Sequence, residues 1–207
     1  APKYLTNKSV VFDFGANLGS FAHKVIERTQ CQCICLEPNP IVYAKISPSE
    51  HIKKINAAVS ESPGNLEFFI SKNPEASSFF KQIASAWGVQ EVIKVKTYTY
   101  SDITKGLKVD LLKVDIEGAE IGLFNGMSNE QLLAIPQITV EFHEFIDPAF
   151  YPEIKAIIAR FKSLGFLMVN YSLKSFSDIL FINRKHINWR FTKQIWYKFH
   201  CIFRYNG

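Results

Sequence analysis

Long apolar runs, linkers and internal repeats are all missing from this sequence of 207 residues. No apolar stretch approaches the roughly 18 residues that a membrane-spanning helix needs. The first residues, Ala1-Pro2-Lys3-Tyr4, also lack the apolar region of a secretory signal peptide. Hydrophobic residues make up 47% of the chain, which is enough to fill the core of one domain. We therefore expect a cytoplasmic protein whose main part is a single folded domain.

Cysteine is scarce, with four residues in the whole chain, and three of them lie close together. Cys31, Cys33 and Cys35 alternate along a predicted strand, so their side chains point to the same face of a sheet. Neighbouring positions on one strand face rarely satisfy a tetrahedral metal without other ligands, and buried free thiols are common in protein cores. The pattern predicts neither a disulfide scaffold nor a metal site.

Acidic residues are absent from the end of the chain, and this absence gives the sequence its net charge of +5. Residues 1–183 hold 18 basic and 19 acidic residues, whereas six basic residues and no acidic ones follow. We divide the chain into a domain at 1–185 and a basic, aromatic tail or helix at 186–207. The tail is expected to pack its aromatic side chains on the domain or on a second subunit. The alternatives are contact with an anionic membrane surface, with nucleic acid or with an acidic substrate.

The glycines after the first strand do not match the dinucleotide fingerprint. Residues 10–20, VVFDFGANLGS, are typical of a buried strand, a glycine turn and a helix, where nucleotide-like cofactors bind. A dinucleotide needs two further glycines that admit a pyrophosphate and a closely packed helix, but Asn17 and Ser20 occupy those positions. Of the two glycines in this stretch, only Gly15 stands at a glycine position of the fingerprint, because Gly19 lies one residue before the third such position. The turn therefore favours a nucleoside without phosphates, of which S-adenosylmethionine is the common one.

An acidic residue about 20 positions further on supports the same assignment. Glu37 ends the next apolar strand, and an acid at that place can accept hydrogen bonds from both hydroxyls of a ribose. Asp13, directly before the turn, is in a position to take the cofactor's ammonium group, either itself or through water. The alternative is a tight strand-to-helix turn in which Glu37 is an ordinary solvated residue.

Strand and helix patterns alternate along most of the chain. A Ser-Pro-Gly-Asn turn at 62–65 precedes a strand that is expected to belong to an antiparallel insertion. A pair of strands after Gly165 completes the pattern. It predicts an α/β fold with a doubly wound, mostly parallel sheet and a terminal antiparallel hairpin. The predicted strands are 10–14, 31–36, 54–59, 66–70, 92–100, 109–118, 137–144, 166–171 and 178–183, with helices at 18–26, 41–46, 119–125 and 152–164.

Charged residues interrupt two strands that ought to be apolar throughout. Central parallel strands are covered on both faces, so a charge inside them needs a reason. Asp115 and Glu117 lie towards the carboxyl end of the fourth strand of the alternating system, and Glu141 and His143 lie towards that of the fifth. Ligands of open α/β sheets bind at this edge. The two strand ends are therefore predicted to place acids and an imidazole beside the cofactor.

Methyl transfer to an alcohol would give these residues a role. An alcohol is a poor nucleophile until its proton is removed, so a base must stand within hydrogen-bond reach of the hydroxyl. His143 is the preferred base because its ordinary pKa suits proton transfer near neutral pH, and Asp115 and Glu117 are the other candidates. The alternatives are a structural histidine, a salt bridge of the acids with Lys113, or a carboxylate site for Mg²⁺, which would acidify a bound hydroxyl.

The sequence resembles the FkbM-type methyltransferases in several motifs. They are residues 11–19, VFDFGANLG; 37–40, EPNP; 56–59, NAAV; Ser77-Ser78; and above all 113–120, KVDIEGAE. The resemblance spans about residues 9–183 and implies a Rossmann-like methyltransferase fold with S-adenosylmethionine as donor. The usual acceptors in this family are hydroxyl groups of sugars, glycans or polyketide-like metabolites. One departure is the segment 97–102, TYTYSD, where relatives more often have a Leu-Asp pair.

The resemblance also implies roles for individual residues. The cofactor would bind along the ends of the predicted strands 10–14, 31–36 and 54–59. The acceptor would lie at the ends of the predicted strands 109–118 and 137–144. The implied acceptor-side residues are Asp115, Glu117 and His143. The implied cofactor-binding residues are Asp13, Gly15, Asn17 and Gly19 at the methionine end, Glu37 at the ribose, and Asn56, Ala57 and Ala58 by the adenine.

The sequence thus predicts an S-adenosylmethionine-dependent O-methyltransferase that acts on a hydroxyl of a sugar, glycan or polyketide-like metabolite. The expected partner is a small-molecule or glycan acceptor. The alternative is a binding module with the same fold that docks on membrane or RNA through its tail. A nucleic-acid methyltransferase is disfavoured, because the charge of residues 1–183 is −1 and binding to phosphates needs a basic surface.

Overall fold

The computed structural model describes residues 2–72, 77–78, 81–86, 88–144, 147–172 and 175–187. The predicted tail at 186–207 lies outside the described residues from residue 188 onward. A short 3-10 turn at Pro2–Tyr4 precedes ten strands and seven helices in the described chain. The strands are β1 (Val10–Phe14), β2 (Gln32–Leu36), β3 (Ile52–Ile55), β4 (Ala58–Val59), β5 (Gly64–Ser71), β6 (Val89–Tyr98), β7 (Leu111–Val114), β8 (Gln137–Val140), β9 (Phe166–Asn170) and β10 (Ile179–Asn183). The helices are α1 (Ser20–Thr29), α2 (Pro40–Lys45), α3 (Lys81–Ala86), α4 (Tyr100–Thr104), α5 (Glu120–Gly126), α6 (Asn129–Ala134) and α7 (Phe150–Ser163).

Seven strands form the main sheet in the order β3-β2-β1-β7-β8-β10-β9. The pairs β3–β2, β2–β1, β1–β7 and β7–β8 are parallel, whereas β10 is antiparallel to both β8 and β9. This arrangement confirms the predicted mostly parallel sheet with a terminal antiparallel hairpin. The strand order reverses between β1 and β7, and open α/β sheets bind their ligands outside the carboxyl ends of the strands at such a point.

The core lies on both faces of this sheet, because its central strands carry apolar residues on both sides. On one face Phe161 of α7 stacks on Phe181 of β10, with ring centres 4.2 Å apart. Phe161 also meets Phe124 of α5 edge-on at 5.4 Å. On the other face α1 buries Ala22 and Val25 against the first two strands. Helices therefore cover both faces, as a doubly wound sheet requires.

A second sheet has three strands in the order β4-β6-β5, and all three lie between β3 and β7 in the sequence. Its strands β5 and β6 form a long antiparallel pair with α3 between them in the chain, and this pair is the predicted insertion. The single predicted strand at 54–59 is wrong, because β3 joins the main sheet and β4 pairs with β6. Asn56 lies between the two strands, and its side-chain amide donates to the carbonyl oxygens of Glu37 at 2.8 Å and Pro38 at 3.1 Å. These bonds anchor the chain where it leaves the main sheet.

The segment 97–102, where the sequence departs from the family pattern, contains the end of β6 and the start of α4. Thr99 caps α4 by accepting a hydrogen bond from the backbone N–H of Asp102, whose carboxylate accepts in return from the backbone N–H of Thr99. This reciprocal pair is a capping box. The departure therefore has a local structural role in the described chain.

The last described residues lie at the edge of the sheet opposite the carboxyl ends of the parallel strands. Because β10 is antiparallel to β8, its final residue Asn183 donates its backbone N–H to the carbonyl of Pro136, just before β8 begins. Ile187 is buried and packs with Val169, Leu180 and Ile182. Within the described ranges, no helix combines the length and the apolarity that crossing a membrane requires.

Candidate active site

A cleft opens at the carboxyl ends of the parallel strands, beside the point where β1 and β7 meet. Its lining includes the predicted residues Gly15, Asn17, Glu37, Ala57, Ala58, Asp115 and Glu117. Pro38, Val42 and Phe68 give one end an apolar surface, and Glu141 adds a further carboxylate. The structure therefore brings most of the predicted donor residues and two of the predicted acceptor-side residues to one place.

The turn after β1 lets three strand ends converge. Gly15 adopts a φ of +76°, a left-handed conformation that favours glycine, and the backbone N–H groups of Gly15 and Ala16 both donate to the carbonyl of Leu36. A Cβ atom added at Gly15 would lie 1.7 Å from the carbonyl oxygen of Asp115. Only a residue without a side chain allows this approach, so Gly15 shapes the floor of the cleft.

Glu37 is held at the end of β2 by the backbone on either side of it. One carboxylate oxygen accepts from the N–H of Asn17 at 2.9 Å, and the other accepts from the N–H of Asn39 at 2.8 Å. Burial raises the pKa of Glu37 to about 7, although these two hydrogen bonds favour its charged form. Each oxygen has a second lone pair, and the residue lines the cleft. Glu37 can therefore still accept hydrogen bonds from the hydroxyls of a ligand.

The chemistry of the cleft fits a cationic nucleoside. Its described lining holds four carboxylates, those of Glu37, Asp115, Glu117 and Glu141, and neither Lys nor Arg. A pyrophosphate would be repelled by these charges, whereas the sulfonium and ammonium groups of S-adenosylmethionine would be attracted. The apolar end suits a purine base, and Glu37 suits a ribose.

Three residues predicted to bind the cofactor lie outside this lining. Asp13 is fully buried, and its carboxylate lies 3.1 Å from the Nζ of Lys113. Gly19 caps the start of α1, where an added Cβ would lie 3.0 Å from the side chain of Ile46. The amide of Asn56 is bonded to the backbone around Glu37. The predicted contact of Asp13 with the ammonium group does not fit its position, because its carboxylate is fully buried outside the lining and pairs with Lys113.

The side chain of Lys113, on β7, links this strand to β1. Its Nζ lies 3.1 Å from Asp13 and 3.3 Å from Asp115, and it donates to the carbonyl of Gly15. Burial alone would lower the pKa of Lys113, but the charges of Asp13 and Asp115 raise it above its usual range. The salt bridge considered as an alternative is thus present for Asp115. These three partners hold the ammonium group of Lys113 in the floor of the cleft.

His143 is buried among carboxylates, with 4% of its surface exposed. Its Nδ1 lies 3.1 Å from Glu120, and its Nε2 lies 3.4 Å from Glu117 and 3.9 Å from Asp115. Burial alone would lower the pKa of His143, but the hydrogen bond with Glu120 and the charges of all three acids raise it to about 10. The imidazole is then protonated at neutral pH. This state conflicts with the predicted role of His143 as general base, because a protonated imidazole cannot accept a proton.

Glu120 is a site residue to which the sequence analysis assigns no role. It opens α5 with 1% of its surface exposed, and its carboxylate accepts from the backbone N–H groups of Ile116 at 3.0 Å and Gly118 at 3.1 Å. The same carboxylate bonds His143. A carboxylate in the first turn of a helix, directly after a glycine turn, is the sequence signal that identifies such an anchor.

Glu117 presents a carboxylate to the cleft from a strained turn. Its φ is +52°, and its carbonyl accepts a hydrogen bond of 2.7 Å from the hydroxyl of Ser78. Burial raises the pKa of Glu117 to about 7, and burial together with the charge of Asp115 does the same for Glu141. Glu117 and Glu141 therefore titrate, like Glu37, in the range in which a general base works best.

Asp115, Glu117 and His143 also lie near enough to one another to suggest a divalent cation, with donor atoms within 4.8 Å. Acidic groups gather in this way in many proteins that bind no ion. A protonated imidazole has no lone pair to offer, so an ion would first have to displace the proton of His143. Mg²⁺ in particular prefers oxygen ligands. We assign no metal to these residues.

The strand order and the position of the cleft define a fold class, the Rossmann-like, doubly wound α/β proteins that bind a ligand at the carboxyl ends of their strands. The solved structure of an rRNA-methylase candidate from Clostridium thermocellum has the same fold. It superposes with a TM-score of 0.52 at 7% sequence identity, covering 87% of this chain and 88% of that one. At this identity the likeness shows the fold alone.

Residues 13–168 match the model of the methyltransferase FkbM domain, and the chain belongs to this family. It therefore carries a methyltransferase domain of this family, as its motifs imply. It is 24% identical over 147 residues, or 67% of its length, to the hexuronic acid methyltransferase AglP of Haloferax volcanii, and it spans 58% of the length of that relative. It is 23% identical over 191 residues to the methyltransferase sdnD of Sordaria araneosa, covering 74% of this chain and 73% of that protein.

Proposed function

We propose that the protein transfers a methyl group from S-adenosylmethionine to a hydroxyl of a sugar, glycan or polyketide-like metabolite. The observation that carries this proposal is the group of carboxylates at the ends of β7 and β8, which borders the donor cleft. The donor supplies an activated methyl group when it is bound. An alcohol reacts with such a group only if a base takes its proton, and Asp115, Glu117 and Glu141 supply candidate bases. The name of the archaeal relative supports a sugar-type acceptor.

The donor is proposed to bind between the turn after β1 and the apolar end of the cleft. Gly15 and Asn17 would border the methionine part, and Glu37 would hold the ribose. Ala57 and Ala58 would lie by the adenine, where their small side chains leave room for the base. Asp13 would act indirectly, by holding Lys113 under this floor.

Replacing Glu37 by Ala is expected to weaken the binding of S-adenosylhomocysteine by roughly 1.5–3 kcal/mol, about 10- to 150-fold in Kd. The loss follows because two ribose hydroxyls would lose a charged acceptor. Isothermal titration calorimetry measures the affinity. Glu27→Ala, on the exposed side of α1, is the matched control and should bind as the wild type does. An unchanged affinity of Glu37→Ala would remove Glu37 from the donor site.

Removal of divalent cations is expected to leave methyl transfer unchanged. The reason is that the proton acceptors of the cleft are its own carboxylates, and the charge of His143 already occupies the space between Asp115 and Glu117. The measurement compares rates after treatment with EDTA and after addition of Mg²⁺ or Mn²⁺. A rate that falls with EDTA and returns with one of these ions would place a metal in the reaction.

Transfer of labelled methyl groups to a panel of acceptors tests the proposed function. The panel contains neutral sugars, uronic acids, glycans and small alcohols, with RNA and protein for comparison. We expect label on a compound with a free hydroxyl and none on RNA. Label found only on RNA or protein, or no transfer to any hydroxyl compound while S-adenosylhomocysteine binds, would contradict the proposed acceptor class.

A further inference from the structure

We propose that Glu120 is a positioning residue that holds His143 as a fixed cationic donor, so that the carboxylate of Glu117 receives the proton of the acceptor. This inference rests on the proposed methyl transfer to a hydroxyl. It assigns different tasks to three groups that the sequence presents only as neighbouring charges.

The groups around Glu120 make its carboxylate a hydrogen-bond acceptor. It is buried at the start of α5, and the backbone N–H groups of Ile116 and Gly118 point at it. Toward Nδ1 of His143, at 3.1 Å, the carboxylate can only accept, so Nδ1 carries the hydrogen. Glu120 thereby ties the imidazole to the same turn that presents Glu117.

The orientation set by Glu120 directs the other ring nitrogen at the reacting side of the site. Nε2 of His143 faces Glu117 at 3.4 Å and Asp115 at 3.9 Å, both from the turn between β7 and α5. Glu141 adds a further negative charge from the segment that carries His143 itself, and Lys113 adds a positive charge beside Asp115. Carboxylates therefore predominate around the ring, which stabilises its protonated form.

The burial of His143 also separates it from the acceptor. Its side chain is 5% exposed, whereas that of Glu117 is 30% exposed and lines the cleft. The hydroxyl of Ser78 holds the backbone carbonyl of Glu117 in the turn that presents this side chain. Glu117 is thus the member of the pair that can touch a substrate hydroxyl.

The resulting step balances in protons and electrons. The acceptor oxygen forms a bond to the methyl carbon as the bond between that carbon and sulfur breaks, and the electron pair of the broken bond stays on sulfur. The hydroxyl proton passes to the carboxylate of Glu117. The positive charge of His143 stabilises the ionised form of Glu117 before the step and does not itself change.

The charge of His143 is directly measurable by NMR titration of the histidine ring nitrogens in the free protein. We expect the ring of His143 in the wild type to stay protonated from pH 6 to pH 8, in agreement with a pKa of about 10. In Glu120→Gln its pKa should fall by at least about one unit, because a neutral amide replaces the nearest charge. A wild-type His143 that is neutral at pH 7 overturns the proposal, whether or not the variant folds.

The pH dependence of methyl transfer gives a second readout, which a purely structural role would not move. In the wild type the rate should rise through about pH 7, where Glu117 ionises, and fall through about pH 10, where Nε2 of His143 loses the hydrogen that it directs at Glu117. In Glu120→Gln the lower limb should move to lower pH, because the charge of Glu120, which raises the pKa of Glu117, is removed while His143 stays protonated near pH 7. Limbs that do not move in this variant would overturn the positioning role.

Glu50→Gln is the matched control for both readouts. Glu50 is an exposed carboxylate 3.7 Å from the ring of His51, just before β3 begins and therefore at the edge of the sheet opposite the cleft. The control should leave the titration of His143 and the pH profile unchanged. Because the NMR titration needs neither donor nor acceptor, its failure is distinguishable from a failure of the proposed methyl transfer, which would appear as absent product.

Discussion

Replacing Glu117 by Gln is expected to lower the rate of methyl transfer by roughly 10²- to 10⁴-fold, the usual contribution of a general base. Gln has nearly the same size and can still meet Nε2 of His143, but it cannot take a proton. The turn should persist, because Ser78 holds the backbone carbonyl of Glu117 rather than its side chain. Single-turnover transfer of labelled methyl groups measures the rate, and calorimetry with S-adenosylhomocysteine measures the affinity for the donor side.

Two comparisons make this result specific. Glu67→Gln, the same exchange at an exposed position of β5, should retain the wild-type rate. Asp115→Asn should also retain more activity than Glu117→Gln, because Asp115 is partly neutralised by Lys113 at 3.3 Å. A wild-type rate in Glu117→Gln together with a large loss in Asp115→Asn would transfer the role of base to Asp115.

Replacing Gly15 by Ala is expected to lower the free energy of unfolding by at least about 3 kcal/mol. Two costs add at this position. The φ of +76° strains any residue with a side chain, and the new Cβ would lie 1.7 Å from the carbonyl oxygen of Asp115. The backbone of one strand end must move to relieve this overlap, and three strand ends meet there. Urea unfolding measures the change in the free energy of unfolding, provided that the slope of this free energy against urea concentration is the same in both proteins.

Gly106→Ala separates these two costs. Gly106 has the same φ of +76°, but nothing lies within 4 Å of the position that its Cβ would take. The exchange there should cost only the backbone strain, about 1–2 kcal/mol. If Gly15→Ala were no more destabilising than Gly106→Ala, the close approach of the strand ends would contribute nothing to stability.

The position of the cleft could be predicted from the sequence because it follows from topology. Once residues 10–20 indicate a strand, a turn and a helix, the carboxyl ends of the parallel strands must share one edge of the sheet. The division of residues 54–59 between two sheets could not be predicted in this way. It depends on hydrogen bonds from Asn56 to the backbone of Glu37 and Pro38, about 20 residues away, and strand propensity carries no information about them.

The protonation states of the site residues could not be predicted from the sequence either. A histidine beside acids suggests a base with an ordinary pKa, whereas three carboxylates around the buried ring of His143 favour its protonated form. Asp13 is similar, because the pairing with Lys113 brings together residues that are far apart in the chain. Helix α6 was not predicted, although Ser128 and Gln131 form a capping box at its start with the spacing that such a box requires.

The binding of S-adenosylhomocysteine compared with NAD is the most direct test of the central claim, that this cleft binds a nucleoside donor without phosphates. Isothermal titration calorimetry of the purified protein with each ligand measures it. The carboxylates of the lining and the absence of the second and third glycines of the dinucleotide fingerprint predict one-to-one binding of S-adenosylhomocysteine and no binding of NAD. No binding of S-adenosylhomocysteine at millimolar concentration, or a preference for NAD, would contradict the claim.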